Sequence, residues 1–153
     1  MKVLLLNGPN LNMLGIREPQ KYGNETLEQI ENELISYANE QGITLEAFQS
    51  NYEGALVEKI HQALLSYDGI ILNAGAYTHT SIALRDALLA VKIPFVEVHL
   101  TNIHARESFR HKSLLSDIAI GIIAGFGKQS YFLALDGLIS SLKLIKKHNI
   151  QQQ

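Results

Sequence analysis

Short apolar runs alternate with amphipathic stretches from one end of the chain to the other. Val3–Leu6 is unbroken apolar sequence, the pattern of a strand buried on both faces, and Asn7-Gly8-Pro9-Asn10 stops it. Thr26-Leu27-Glu28-Gln29 is a capping-box pattern, after which Leu27, Ile30, Leu34 and Ala38 recur at spacings of three and four. That spacing predicts a helix with one buried stripe, ended by Gly42. Ile43–Gln49 alternates weakly as a second strand. Ser50-Asn51-Tyr52-Glu53 reads as another capping box, opening a helix with Leu56, Ile60, Ala63, Leu64 and Tyr67 on its inner face. Asp68-Gly69 turns the chain into a third strand, Ile70–Leu72, which breaks at Asn73-Ala74-Gly75 and feeds a helix from Ile82 to Leu89. Phe95–Leu100 and Ile118–Ala124 read as the fourth and fifth strands. A last helix buries Leu133, Leu138, Leu142 and Ile145, with residues 146–153 a frayed tail.

Five short apolar strands alternating with helices predict an α/β fold: a doubly wound, five-stranded parallel sheet with helices on both faces and right-handed crossovers. Five strands favour the flavodoxin-like order, which opens a ligand crevice between the first and third strands at their carboxyl ends. At 153 residues the chain is expected to form one domain, 1–153.

Composition narrows the function classes. Hydrophobic residues make up 46% and the formal charge is −2, so no basic field gathers nucleic acid or anionic lipid. The absence of cysteine excludes disulfide scaffolds, thiolate metal sites and thiol nucleophiles. The apolar run near Met1 is far shorter than the about 20 residues a membrane helix needs, so the chain reads as soluble and cytoplasmic, without a membrane partner.

The candidate chemistry gathers at the predicted carboxyl edge of the sheet. Asn73, Gly75 and His79 lie within seven residues, directly after the third strand. The connection over residues 8–24 is long for an α/β unit and carries Arg17 and Tyr22, as a binding loop or lid would. A phenol serves as a base only where its phenolate is stabilised, and Arg17 is close enough in sequence to do that. The plainer reading of Tyr22 is a surface tyrosine on that loop. His99 ends the fourth strand and reads either as a general acid or base or as a hydrogen-bonded strand-end histidine. The side-chain amide of Asn73 and the backbone N–H groups of Leu100 and Thr101 suit a carboxylate. Arg106 and Arg110 share a face if their loop makes a helical turn, and otherwise form a solvated basic face. Together these groups read as a site for an anionic small molecule. Gly125-Phe126-Gly127-Lys128 lacks the spacing of a phosphate loop, and no H-E-x-x-H surrounds His99 and His104, so no zinc site and no cofactor loop is read from these motifs.

Asn7-Gly8-Pro9-Asn10-Leu11-Asn12, Arg17-Glu18-Pro19 with Tyr22-Gly23, Gln49-Ser50-Asn51, Leu72 to Ser81, and Glu97-Val98-His99-Leu100-Thr101-Asn102 resemble type II 3-dehydroquinate dehydratase, as do Ala105-Arg106-Glu107 and Phe109-Arg110. The resemblance runs in order from the first strand to the last helix. It implies a flavodoxin-like lyase that eliminates water in the anti sense from 3-dehydroquinate, in the shikimate pathway or in quinate breakdown, with neither metal nor Schiff base. Carried over, Tyr22 is the base at C2, with Arg17 and Arg106 lowering its pKa. Asn10 holds a water against the enolate. His99, oriented by Glu97, protonates the departing hydroxyl. Asn73, Gly75 and the Leu100–Thr101 backbone surround the carboxylate, while His79 and Arg110 take ring hydroxyls. The resemblance also implies trimers, four of which form a dodecamer, with Asp86 reaching a neighbouring site. Thr101 stands where the family often has serine; Lys112 and Leu114 are further departures, expected to touch none of these residues. The competing reading is a non-catalytic flavodoxin-like module that binds a ligand at the same crevice. Asn7-Gly8-Pro9-Asn10 offers it no phosphate-binding hydroxyl, and Pro9 has no N–H.

Overall fold

Five strands, Lys2–Asn7 (β1), Thr44–Gln49 (β2), Gly69–Asn73 (β3), Phe95–His99 (β4) and Gly121–Ala124 (β5), form one parallel sheet in the order β2-β1-β3-β4-β5. The computed structural model describes residues 1–16, 20 and 23–153. The helices are Leu27–Glu40 (α1), Glu53–Ala63 (α2), Ile82–Val91 (α3) and Gln129–Gln151 (α4). This is the flavodoxin-like arrangement, with its switch point between β1 and β3.

The strand pleat explains how one apolar run serves two cores. Along β1, Val3 and Leu5 face α1 and α4, while Leu4 and Leu6 face α2 and α3. Leu27, Ile30, Leu34 and Ala38 of α1 are all buried in the first of these cores, as their spacing predicts. The capping box of α1 forms in full: Thr26 Oγ1 accepts the Gln29 N–H, and the Gln29 side chain accepts the Thr26 N–H.

Elsewhere the elements depart from the pattern. The second capping box does not form. Tyr52 is the residue before α2 and makes no side-chain cap; Ser50 Oγ instead accepts the N–H of Tyr52 in a local turn. Because α2 stops at Ala63, Leu64 falls outside its stripe and is exposed. In α4 the buried stripe is Tyr131, Ala134, Leu135, Leu138, Ile139 and Leu142. Leu133 lies about 200° around the helix from Tyr131 and is exposed, as is Ile145 one turn past the stripe. The expected frayed tail is helical through Gln151. The strand at 118–124 is shorter than its apolar content suggests, because Ile118 and Ala119 donate to Leu115 O in a turn before Ile120 N–H reaches Phe95 O. Among the described residues no helix is long and apolar enough to cross a membrane.

Candidate active site

β1 and β3 end in register at Asn7 and Asn73, and the loops beyond them pack against each other. Gly8 N–H donates to Asn73 O at 2.8 Å, and a Cβ on Gly8 would stand 2.4 Å from Ala74 O, so only glycine permits this approach. Gly75 holds a positive φ of 57°, with Pro9 O 3.0 Å from where its Cβ would be. Asn10 is also left-handed (φ 67°), and its N–H donates to Asn51 Oδ1. These turns leave a cleft lined by Asn10, Leu14, Asn73, Gly75, His79, His99, Leu100, Thr101, Arg106 and Arg110.

Glu97 and His99 are two apart on β4 and therefore project from the same face of the strand. His99 Nε2 donates to Glu97 Oε2 at 2.6 Å, which leaves Nδ1 as the ring nitrogen available to the cleft. Glu97 is fully buried and also accepts from Ser113 Oγ (2.7 Å) and Ser116 Oγ (3.0 Å). Burial alone raises the pKa of a carboxyl; here the bonds from His99, Ser113 and Ser116 outweigh it and hold Glu97 below its ordinary value. A group with a depressed native pKa contributes stability that is complete above its unfolded value, about 4.3, and lost as pH falls through the native value. The stability difference between the protein and its Glu97→Gln variant is therefore expected to be largest near neutrality and to shrink below about pH 4. Chemical denaturation at pH 7 and pH 3.5 reads this directly; an equal difference at both would remove the ionised carboxylate from the account.

The loop that carries the two serines is pinned from several sides. Leu114 N–H donates to Thr78 O, and Arg85 reaches Leu114 O and the Asp117 carboxylate. His79 Nδ1 donates to Lys112 O at 2.7 Å. Lys112 therefore does touch a predicted site residue, against expectation, through its backbone carbonyl, while Leu114 bonds Thr78 and Arg85, neither of them a predicted site residue. The His79 and His99 rings stack at 6.4 Å.

Two short 3-10 turns, Ile103–Ala105 and Ser108–Arg110, replace the single helical turn considered for the arginines, yet Arg106 and Arg110 both line the cleft. Arg110 Nε donates to Glu107 Oε2. Arg106 Nε is buried and has no acceptor among the described residues. The N–H groups of Leu100 and Thr101 likewise have no acceptor among those residues, and both residues border the cleft. Asn73 is buried, with one Nδ2 hydrogen committed to Tyr131 Oη at 2.9 Å, which leaves the other for the cleft. Asp86 is exposed on α3 and does not line the cleft of its own chain. Arg17 and Tyr22 lie outside the described residues.

Ser113, Ser116 and Tyr131 are the residues that pattern reading missed. The serines carry no motif. Tyr131 follows the apolar spacing of α4, and its only signal is a phenol at a core position, which must find a partner.

A parallel sheet in flavodoxin order, with a histidine–carboxylate pair and unpaired N–H donors at the carboxyl end of β4 beside its switch point, has the build of an α/β enzyme. Residues 1–139 match the family model for dehydroquinase class II. A 3-dehydroquinate dehydratase of a Synechococcus strain is 65% identical over 143 residues, covering 94% of this chain and 97% of that one. One from Prochlorococcus marinus is 61% identical over 145 residues, covering 95% and 100%. The crystal structure of a type II dehydroquinase from Butyrivibrio crossotus superposes with a TM-score of 0.88 at 48% identity, covering 90% of this chain and 97% of that one. The chain belongs to the class II dehydroquinase family.

Proposed function

We propose that the chain removes water from 3-dehydroquinate to give 3-dehydroshikimate, as a step of the shikimate pathway, by anti elimination through an enolate. The observation that carries the mechanism is the buried Glu97–His99 bond at the edge of the cleft. The ketone acidifies the neighbouring C2 proton, which Tyr22 removes, and the electron pair passes into the C3 enolate. Arg17 and Arg106 stabilise the phenolate, and Asn10 holds a water against the enolate oxygen. The orphaned Arg106 Nε supports that role, since a buried guanidinium N–H calls for an acceptor. As the enolate collapses, the C1–O bond breaks and His99 delivers a proton to the departing oxygen. Water leaves, and the new C1–C2 double bond is conjugated with the ketone. Glu97 fixes the ring orientation and stabilises the imidazolium. Asn73, Gly75 and the Leu100 and Thr101 N–H groups surround the carboxylate; His79 and Arg110 face the ring hydroxyls. No residue in this scheme calls on a metal or cofactor.

Base and acid come from different segments of chain, as removal of groups from opposite faces requires. 3-Dehydroquinate carrying deuterium at one C2 position tests this. The label anti to the C1 hydroxyl should be lost and the syn label kept. Loss of the syn label would overturn the stereochemistry, and no turnover at all would overturn the function.

We further propose that the active form is an assembly of trimers, probed through Asp86. Asp86 stands on the exposed face of α3 between the exposed apolar residues Ile82 and Leu89, which supports a contact there. Sedimentation as a single chain would contradict it.

A further inference from the structure

Behind the cleft, four side chains from four elements form one hydrogen-bonded line. Glu31 Oε1 accepts from Asn7 Nδ2 at 3.0 Å, Asn7 Oδ1 accepts from Tyr131 Oη at 2.5 Å, and Tyr131 Oη accepts from Asn73 Nδ2 at 2.9 Å. Asn7, Asn73 and Tyr131 are buried, and Glu31 is half-buried on α1. Asn7 and Asn73 can share one phenol because β1 and β3 pair them in register and their pleat turns both toward α4.

The line has a direction, and Glu31 sets it. An ionised carboxylate only accepts, so Asn7 must turn its NH₂ group outward and its oxygen inward. Tyr131 then spends its one proton on Asn7 and offers only a lone pair to Asn73. Asn73 must answer with its NH₂ group, which places its second N–H at the cleft and turns its oxygen toward Gly75 N, 3.3 Å away. That last contact is the longest of the series, so the phenol is the stronger guide of the amide.

We infer that Glu31, Asn7 and Tyr131 are positioning residues that hold the Asn73 amide with its donor toward the substrate carboxylate. The inference rests on the proposed function for the identity of that carboxylate, but the orientation itself does not. Removing the acceptor at Glu31 leaves the Asn7 amide free to reverse, after which Tyr131 can donate to Asn73 and turn an oxygen toward an anion.

The test compares Glu31→Leu, Glu31→Gln and Tyr131→Phe with the unmodified protein. Glu31 is half-buried at a helix surface, so its variants should fold even if Tyr131→Phe, which strands two buried amide groups, does not. Glu31→Leu is expected to raise KM for 3-dehydroquinate about tenfold with kcat changed less than about threefold, because the lost interaction is binding to the anion. Glu31→Gln can still accept through its oxygen but can also donate, so it fixes the direction only in part, and its KM should lie between those of the unmodified protein and Glu31→Leu. A KM unchanged in Glu31→Leu, or raised equally in Glu31→Gln, would overturn the inference. The second readout is the ¹⁵N-resolved side-chain NH₂ signal of Asn73, which should be protected from exchange in the unmodified protein and released in Glu31→Leu. If the unmodified protein shows no turnover, the proposed function fails while this signal still decides the relay: release in Glu31→Leu supports it, and unchanged protection overturns it.

Discussion

Replacing His99 with glutamine is expected to lower kcat by about 10²- to 10⁴-fold, the range for losing a positioned acid, with little change in KM. Glutamine has similar reach, and its NH₂ group can still donate to Glu97, so the loop tied to Glu97 through Ser113 and Ser116 should keep its place. What glutamine lacks is a proton to deliver. The loss therefore falls on departure of the hydroxyl and leaves enolate formation alone. In deuterated water the variant should continue to exchange the C2 hydrogen of 3-dehydroquinate while elimination stalls. Steady-state kinetics combined with mass analysis of recovered substrate checks both parts. Normal turnover would reduce His99 to a strand-end histidine satisfied by its carboxylate.

The mirror result is expected of Tyr22→Phe. Loss of the phenol removes the base, so turnover should fall by a similar factor of about 10²–10⁴, and here C2 exchange should fall with it. Ligand binding should largely survive, because phenylalanine keeps the ring and the carboxylate contacts come from other segments. Calorimetric titration with a competitive carboxylate ligand, beside the exchange measurement, separates the two. Retained C2 exchange would take Tyr22 out of the base role. The pair of variants divides the reaction in time, one blocked before the enolate and the other after it.

How far these roles can be read from residues alone differs along the chain, for physical reasons. The strands and α1 follow from period and capping, since a stripe at Leu27, Ile30, Leu34 and Ala38 has one stable way to be buried. The parallel order follows because alternating strands and helices must cross over, and the crossovers have one hand. Asn73 and His99 stand out as polar residues at the ends of apolar runs and His79 as an imidazole in the turn after one, and the fold brings all three to one cleft. Contacts that depend on loop path stay hidden. Ser113 and Ser116 meet Glu97 only because the segment after Arg110 folds back under β4, held by Thr78 and Arg85. The false capping box at Ser50 shows the converse. Its residues fit the pattern, but the Asn7–Ser50 and Gly8–Gln49 bonds draw that segment toward the cleft, and the helix starts two residues too late for Ser50 to cap it. Tyr131 was hidden by its own conformity, being a ring at a core position of a regular helix.

This cleft is expected to dehydrate 3-dehydroquinate with the chain's own residues. Ultraviolet absorbance on mixing purified protein with 3-dehydroquinate in the presence of EDTA tests it most directly. The conjugated enone-carboxylate band is expected to grow at a rate proportional to protein concentration and indifferent to the chelator. A flat trace from folded, assembled protein would contradict it and leave a cleft that binds an anion without transforming it.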